Sequence, residues 1–188
     1  SINLKQKFKK NKLLKNIYII YSGSYLYRPN KEAIDYLNKE IMPKMVKKFS
    51  NLKLVITGGG YFGSKYNWLE NKSIVSKKIL YNLIYNSICM CLPIKFGSGT
   101  RIKILESLCL GAIVVSSKVG IEGIGTLGTP PFIYKNQSQL LRILSNTIKN
   151  YKHIKKKAIT KKKYYLHAYS VKENIKKFTT NHYDENTK

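Results

Sequence analysis

The chain has 188 residues, 43% of them hydrophobic and 12% aromatic. That is one domain's worth of chain, with too many apolar side chains for a disordered tail, and no apolar run approaches the ~20 residues of a membrane-spanning helix. Its 35 basic against 9 acidic residues leave a net charge of +26, which points to anionic partners. The bland source must be set beside that. Only Arg28, Arg101 and Arg142 are arginines, and Lys, Asn, Ile and Tyr all use A/T-rich codons, so genome composition accounts for much of the excess, with lysines solvated on every face.

Ser1–Lys15 is Lys-rich and lacks the apolar stretch of a signal peptide, so a piece of a longer, cytoplasmic protein is expected. Residues 1–16 read as a basic segment, 17–178 as one folded unit and 179–188 as a polar tail. Ile17–Ser22 is a continuous β-branched and apolar run, the pattern of a strand covered on both faces. A helix is predicted from near Asn30, with Ala33, Ile34, Leu37 and Ile41 on one stripe. Pro43 suits the first turn of a second short helix through Phe49. Leu52–Thr57 reads as a strand, Ile74–Val75 as a short one, Lys78–Tyr85 as a helix and Ile88–Leu92 as a buried strand closed by Pro93. A helix is predicted over Thr100–Leu110 and stopped by Gly111. Strands at Ala112–Ser116 and Phe132–Tyr134 follow, then a helix at Ser138–Lys149 and a basic helical tail in which Ser170-x-x-Glu173 restarts a helix. Strands alternating with helices predict a doubly wound, Rossmann-like α/β parallel sheet. Such sheets bind ligands beyond the carboxyl ends of their strands.

Cys89, Cys91 and Cys109 are an odd, small set on apolar segments, which argues against a disulfide framework and for a reducing compartment. Cys89 and Cys91 alternate along a strand, and His153, His167 and His182 lie in the distant tail, so no metal site is expected.

Two glycine-rich stretches follow strands. Gly58-Gly59-Gly60-Tyr61-Phe62-Gly63 nominally fits a dinucleotide fingerprint, but that motif needs an acid about 20 residues on, and none lies between Glu70 and Glu106. Ser64-Lys65 inverts the order a P-loop requires. A tight turn allowing close backbone approach is the simpler reading. Phe96-Gly97-Ser98-Gly99-Thr100-Arg101-Ile102-Lys103-Ile104-Leu105-Glu106 says more. Gly97 and Gly99 sit at the end of a strand, Thr100 can cap the helix, and Arg101 and Lys103 fall in its first turn. Cations there cost an isolated helix ~0.3–1 kcal/mol each. A bound diphosphate offsets that cost through the helix N–H groups, the dipole and a bidentate guanidinium. Chance basic residues on a solvated helix are the competing reading. Glu106, further along among apolar neighbours, can accept from ribose hydroxyls or pair with a lysine.

Taken together, Ser22-Gly23-Ser24, Pro29-Asn30-x-x-Ala33-Ile34, Ile41-x-Pro43, Leu52-x-Leu54-Val55-Ile56-x-Gly58, Pro93-Ile94-x-Phe96-Gly97-Ser98-Gly99-Thr100-Arg101-Ile102-Lys103-Ile104-Leu105-Glu106-Ser107, Gly111-x-x-Val114-Val115 and Gly120-x-Glu122-Gly123 resemble the C-terminal, donor-binding half of glycosyltransferase family 4 (group 1) enzymes of the GT-B fold. The similarity spans about Ile17 to Phe178, with Tyr169-Ser170 and Ile175 resembling the closing helix. The resemblance implies retaining transfer from a nucleotide-diphosphate sugar of UDP or GDP type, without metal or cofactor, in polysaccharide biosynthesis. It places Arg101 and Lys103 at the phosphates, Glu106 (second Glu of the family's E-x7-E) at the ribose, and Gly23, Ser24 and Gly58 with Gly97, Ser98, Gly99 and Thr100 around the donor. Ser98 stands where the first Glu of that motif falls. The family's acceptor domain has no counterpart in this chain, so little transfer is expected of it alone. The implied partners are a nucleotide sugar, a glycan or lipid-linked glycan acceptor, and an anionic membrane face met by the basic tail, with no specific nucleic acid. The competing classes are a basic nucleic-acid-binding module, resting on charge and on the Lys–Tyr interleaving at Lys161–Tyr165, and a non-catalytic nucleotide-binding domain.

Overall fold

The computed structural model describes residues 17–97, 101–124 and 131–168. The elements are β1 (Tyr18–Ser22), α1 (Arg28–Tyr36), α2 (Met42–Val46), β2 (Lys53–Thr57), β3 (Leu69–Asn71), α3 (Lys77–Asn86), β4 (Cys89–Leu92), α4 (Arg101–Cys109), β5 (Val114–Ser117), β6 (Phe132–Tyr134), α5 (Gln137–Lys149) and α6 (Tyr151–Ala168). All six strands run parallel in the order β3-β2-β1-β4-β5-β6. The expected doubly wound α/β architecture is therefore present. The chain steps one way from β1 to β2 and the other way from β4 to β5. Right-handed crossovers then place α1 and α4 on opposite faces, and the strand order reverses between β1 and β4.

The apolar runs become central strands because both of their faces are covered. Tyr18 to Tyr21 and Cys89 to Leu92 are all buried, as the absence of alternation requires. The three cysteines are free and buried. α1 begins at Arg28, two residues before the predicted start, because Pro29 fits its first turn. The stripe then continues through a π-helical turn, Leu37–Ile41, that buries Leu37, Asn38 and Ile41. α2 follows with Pro43 in its first turn and ends at Val46, short of the predicted Phe49.

The short strand expected at Ile74–Val75 is not there. β3 lies at Leu69–Asn71 and pairs with Leu54–Ile56. It is an edge strand anchored by Trp68 and Leu69, which pack on the core, while Ile74 is 81% exposed beyond a left-handed turn at Ser73. Two adjacent β-branched residues mimic a strand there without a surface to bury against. α5 is capped by Asn136, whose side chain accepts from the Gln139 N–H, and it packs on α2, β5 and β6. α6 lies against α4. The expected helix restart at Ser170-x-x-Glu173 lies outside the described residues.

Candidate functional site

The carboxyl edge of the sheet is stitched by glycine turns. Gly23 N–H donates to the Thr57 carbonyl, Tyr25 N–H to Gly59, and Gly58 N–H to Ser73. A Cβ on Gly58 would stand 2.4 Å from the Gly23 carbonyl oxygen and 2.5 Å from its carbon. The two turns therefore touch backbone to backbone, and only glycine fits. Gly58 is packed beneath the Gly23 turn rather than beside open space, so it shapes the site from behind. Gly97 has φ +107, and a Cβ there would sit 2.9 Å from the Tyr27 hydroxyl. The loop leaving β4 is thereby pressed onto the start of α1.

Lys103 rises from the first turn of α4 into the crevice between β1 and β4. Its Nζ donates to Asn30 Oδ1 at 3.1 Å, stands 5.7 Å from the Tyr21 ring centroid and lies where a Gly23 side chain would begin, 2.5 Å from an added Cβ. Among the described residues no carboxylate pairs with it. Desolvation lowers its pKa from 10.5 to about 8. A half-buried ammonium held by one neutral oxygen, Asn30 Oδ1, keeps donor capacity that an anion can take up. Ser24 is exposed on the same turn, its Oγ accepting from the Leu26 N–H at 3.3 Å.

Glu106 sits three residues, just under one helical turn, beyond Lys103 and points to α3. Its Oε1 accepts from the Tyr81 hydroxyl at 2.8 Å and lies 3.5 Å from Lys77 Nζ. Both contacts fall on one oxygen, at the edge of the crevice. The lysine pairing weighed from the sequence is thus formed in the ligand-free protein. Ser98, Gly99 and Thr100 and the side chain of Arg101 lie outside the described residues. The structure thus brings together Gly23, Ser24, Gly97 and Lys103, with Gly58 behind them and Glu106 to one side.

Two residues that sequence reasoning left unassigned belong to this site. Tyr21 and Asn30 hold Lys103 from β1 and α1, and Asn30 is 4% exposed. Burial of the Asn30 amide, which then needs partners, is visible only in the structure. Beyond the Pro93–Gly97 loop a separate groove of about 560 Å³ opens among Tyr36, Lys95, Lys118, Tyr134 and Lys135.

A parallel sheet with a cation at its switch point and glycine turns at its carboxyl edge defines a Rossmann-like α/β domain, in which ligands bind at that edge. Residues 16–150 match the family described as glycosyl transferases group 1, and the chain belongs to that family. A protein of Klebsiella pneumoniae named "Uncharacterized 44.6 kDa protein in cps region" is 27% identical over 154 residues, covering 75% of this chain and 37% of that one. Anabaena HepE, solved in complex with UDP and glucose, superposes with a TM-score of 0.66 at 14% identity, over 88% of this chain and 48% of HepE. The catalytic domain of cholesterol-α-glucosyltransferase from Helicobacter pylori superposes with a TM-score of 0.58 at 15% identity, over 81% of this chain and 98% of that domain. The chain thus spans under half of the Klebsiella protein and of HepE. The structural likenesses establish the GT-B-type Rossmann fold. Among the described residues no helix is long and apolar enough to cross a membrane.

Proposed function

We propose that this chain is the C-terminal, donor-binding half of a family 4 glycosyltransferase, which transfers a hexose from a nucleotide-diphosphate sugar with retention when joined to an acceptor-binding half. The observation that carries the reading is Lys103, desolvated and without a carboxylate partner among the described residues, above the Gly23 turn. Departure of the nucleotide diphosphate puts negative charge on the β-phosphate. A cation preorganised in a dry crevice, with the N-terminus of α4 and Arg101 at its start, stabilises that charge more than the ground state. No metal is needed to supply the positive charge. A two-carboxylate route requires paired acids, and Glu106 is the one acid in the motif that runs from Phe96 to Glu106. We therefore favour a scheme in which the departing phosphate helps deprotonate the acceptor, with Glu106 turned to the ribose once the donor is bound. The HepE structures contain UDP-glucose or UDP, which favours a UDP-type donor among the candidates. Calorimetric titration with UDP, GDP and their sugars tests the reading. Saturable binding lost in Arg101→Ala and Lys103→Met, with unchanged melting, is expected; equal affinity of these variants and the wild type refutes the site.

One further observation favours contact with an anionic membrane carrying the acceptor. α6 has seven lysines and no acid in 18 residues, and each suitable lysine adds ~1 kcal/mol at an anionic surface. Sedimentation with anionic liposomes of the full chain against one ending at Asn150 tests it, and equal pelleting removes it. Retention on RNA above ~100 mM salt would instead favour the nucleic-acid reading.

A further inference from the structure

We infer that Asn30 is a positioning residue of the donor site, its carboxamide fixing where the Lys103 ammonium stands above the Gly23 turn. The inference rests on the donor-binding reading above and assigns a role to a residue that does not itself face the crevice. Asn30 Oδ1 accepts from the Tyr21 hydroxyl at 2.8 Å and from Lys103 Nζ at 3.1 Å, while its Nδ2 donates to the Ser24 carbonyl at 2.8 Å. A carbonyl can only accept, so the amide nitrogen must face Ser24 and the oxygen must face the lysine. One buried side chain thereby ties β1, the glycine turn and α4 together across the point where the strand order reverses.

The amide is matched to this task by its neutrality. A leucine, similarly branched at Cγ, offers no acceptor and orphans both Tyr21 and Lys103. An aspartate would pair with Lys103 and neutralise the charge the ligand needs, and it would set an oxygen against the Ser24 carbonyl. Asparagine anchors the ammonium and leaves its charge available. The other titratable groups around Lys103 preserve that condition. β1 contributes the Tyr21 phenol, whose ionisation burial holds far above neutrality. On α1, Glu32 pairs with Arg28 and Asp35 accepts from Tyr25. On α4 itself, Glu106 faces Tyr81 and Lys77 of α3.

The test combines an NMR titration of the Lys103 ammonium in the ligand-free full chain with calorimetric titration of UDP, on folded variants checked by thermal melting. Asn30→Asp is expected to raise the Lys103 midpoint by about one unit or more and to weaken UDP at least ~10-fold at neutral pH. Asn30→Leu is expected to weaken UDP ~10-fold in the wild-type background and by no more than about twofold in a Lys103→Met background, because the inference has Asn30 act on the ligand through its bond to Lys103. An unchanged Lys103 midpoint in Asn30→Asp, or an equal loss of affinity in both backgrounds, overturns the inference. If the wild type fails to bind UDP, the donor reading falls, and the Lys103 midpoint in Asn30→Asp still decides the positioning role. If Asn30→Leu does not fold, Asn30→Asp carries the decision.

Discussion

Two desolvated lysines invite comparison, Lys155 buried and Lys103 half-buried. Lys103 stands at the carboxyl edge of the sheet, Lys155 at the opposite edge, under the C-terminus of α3. Both are desolvated to a pKa of about 8. Both donate to a neutral oxygen, Asn30 Oδ1 at 3.1 Å or the Tyr85 carbonyl at 2.7 Å. Both lie over a tyrosine ring, at 5.7 Å and 4.4 Å. The difference lies in what the remaining donor capacity meets. Lys155 caps one of the last carbonyls of α3, where a cation also complements the helix dipole, so its burial is structural. Lys103 occupies the first turn of its own helix, where the dipole opposes it, packed against the Gly23 turn. A similar lowering of pKa thus accompanies a helix cap in one place and the proposed donor seat in the other, and the pKa alone does not tell them apart.

The harshest way to break the comparison is to remove the support of one seat only. Gly58→Ala drives a methyl group into the Gly23 backbone. A loss of ~2–4 kcal/mol in denaturant unfolding is expected, together with loss of UDP binding, because neither backbone segment can yield without moving the turn below Lys103. Next in size, Lys103→Met should weaken UDP ~10–100-fold, the scale of a charge-assisted phosphate contact, with little change in melting temperature. Lys155→Met should leave UDP affinity within about twofold in the same calorimetric series. Equal losses from the two lysines would erase the distinction drawn here.

How far the sequence reveals this arrangement depends on the range of the contacts. β1, β2, β4 and β5 were legible because burial on both faces demands continuous apolar runs, and Gly97 with the basic turn after it pointed to the switch-point crevice where Lys103 stands. β3 was not legible, because an edge strand of three residues carries half a pattern, while Ile74-Val75 carries a stronger pattern with nothing to pack on. In the sequence Asn30 marks a helix start and one position of the family-like stretch, with no role attached to its side chain. Its bond to Lys103 spans 73 residues in the chain, and local spacing does not encode a contact across the switch point. Lys155 was hidden among Lys155–Lys157, although it falls on the same stripe as Tyr151, Ile154, Ala158 and Tyr165. A charged residue at an apolar position was the signal.

Acid–base linkage sharpens the comparison further. Each lysine has a folded pKa near 8 against 10.5 unfolded. Between those values the unfolded chain binds more protons, so stability rises with pH across that window. At ~1.4 kcal/mol per unit the Lys155 contribution is at most ~3 kcal/mol. The buried cysteines, their thiols held above the ordinary range by desolvation, act in the opposite sense above pH 9. The wild type minus Lys155→Met difference in denaturant unfolding cancels them and should grow from pH 8 to 10.5. For Lys103 the same proton serves the ligand. UDP affinity should fall about twofold from pH 7 to 8 and by up to ~10-fold per unit above that, a decline that Lys103→Met abolishes.

The smallest effect belongs to Glu106 and separates the phosphate seat from its neighbour. Glu106→Gln keeps an oxygen for the Tyr81 hydroxyl and loses only the charge facing the exposed Lys77 ammonium, so the fold should change by less than ~1 kcal/mol. If the carboxylate turns to the ribose, UDP should bind about threefold to tenfold more weakly, as expected for loss of a charge-assisted hydrogen bond, while inorganic pyrophosphate binds as in the wild type. A parallel loss for both ligands would make Glu106 part of the electrostatic surroundings of Lys103. No loss for either would leave it a strut between α3 and α4, with Lys103 alone defining the donor site among the described charged side chains.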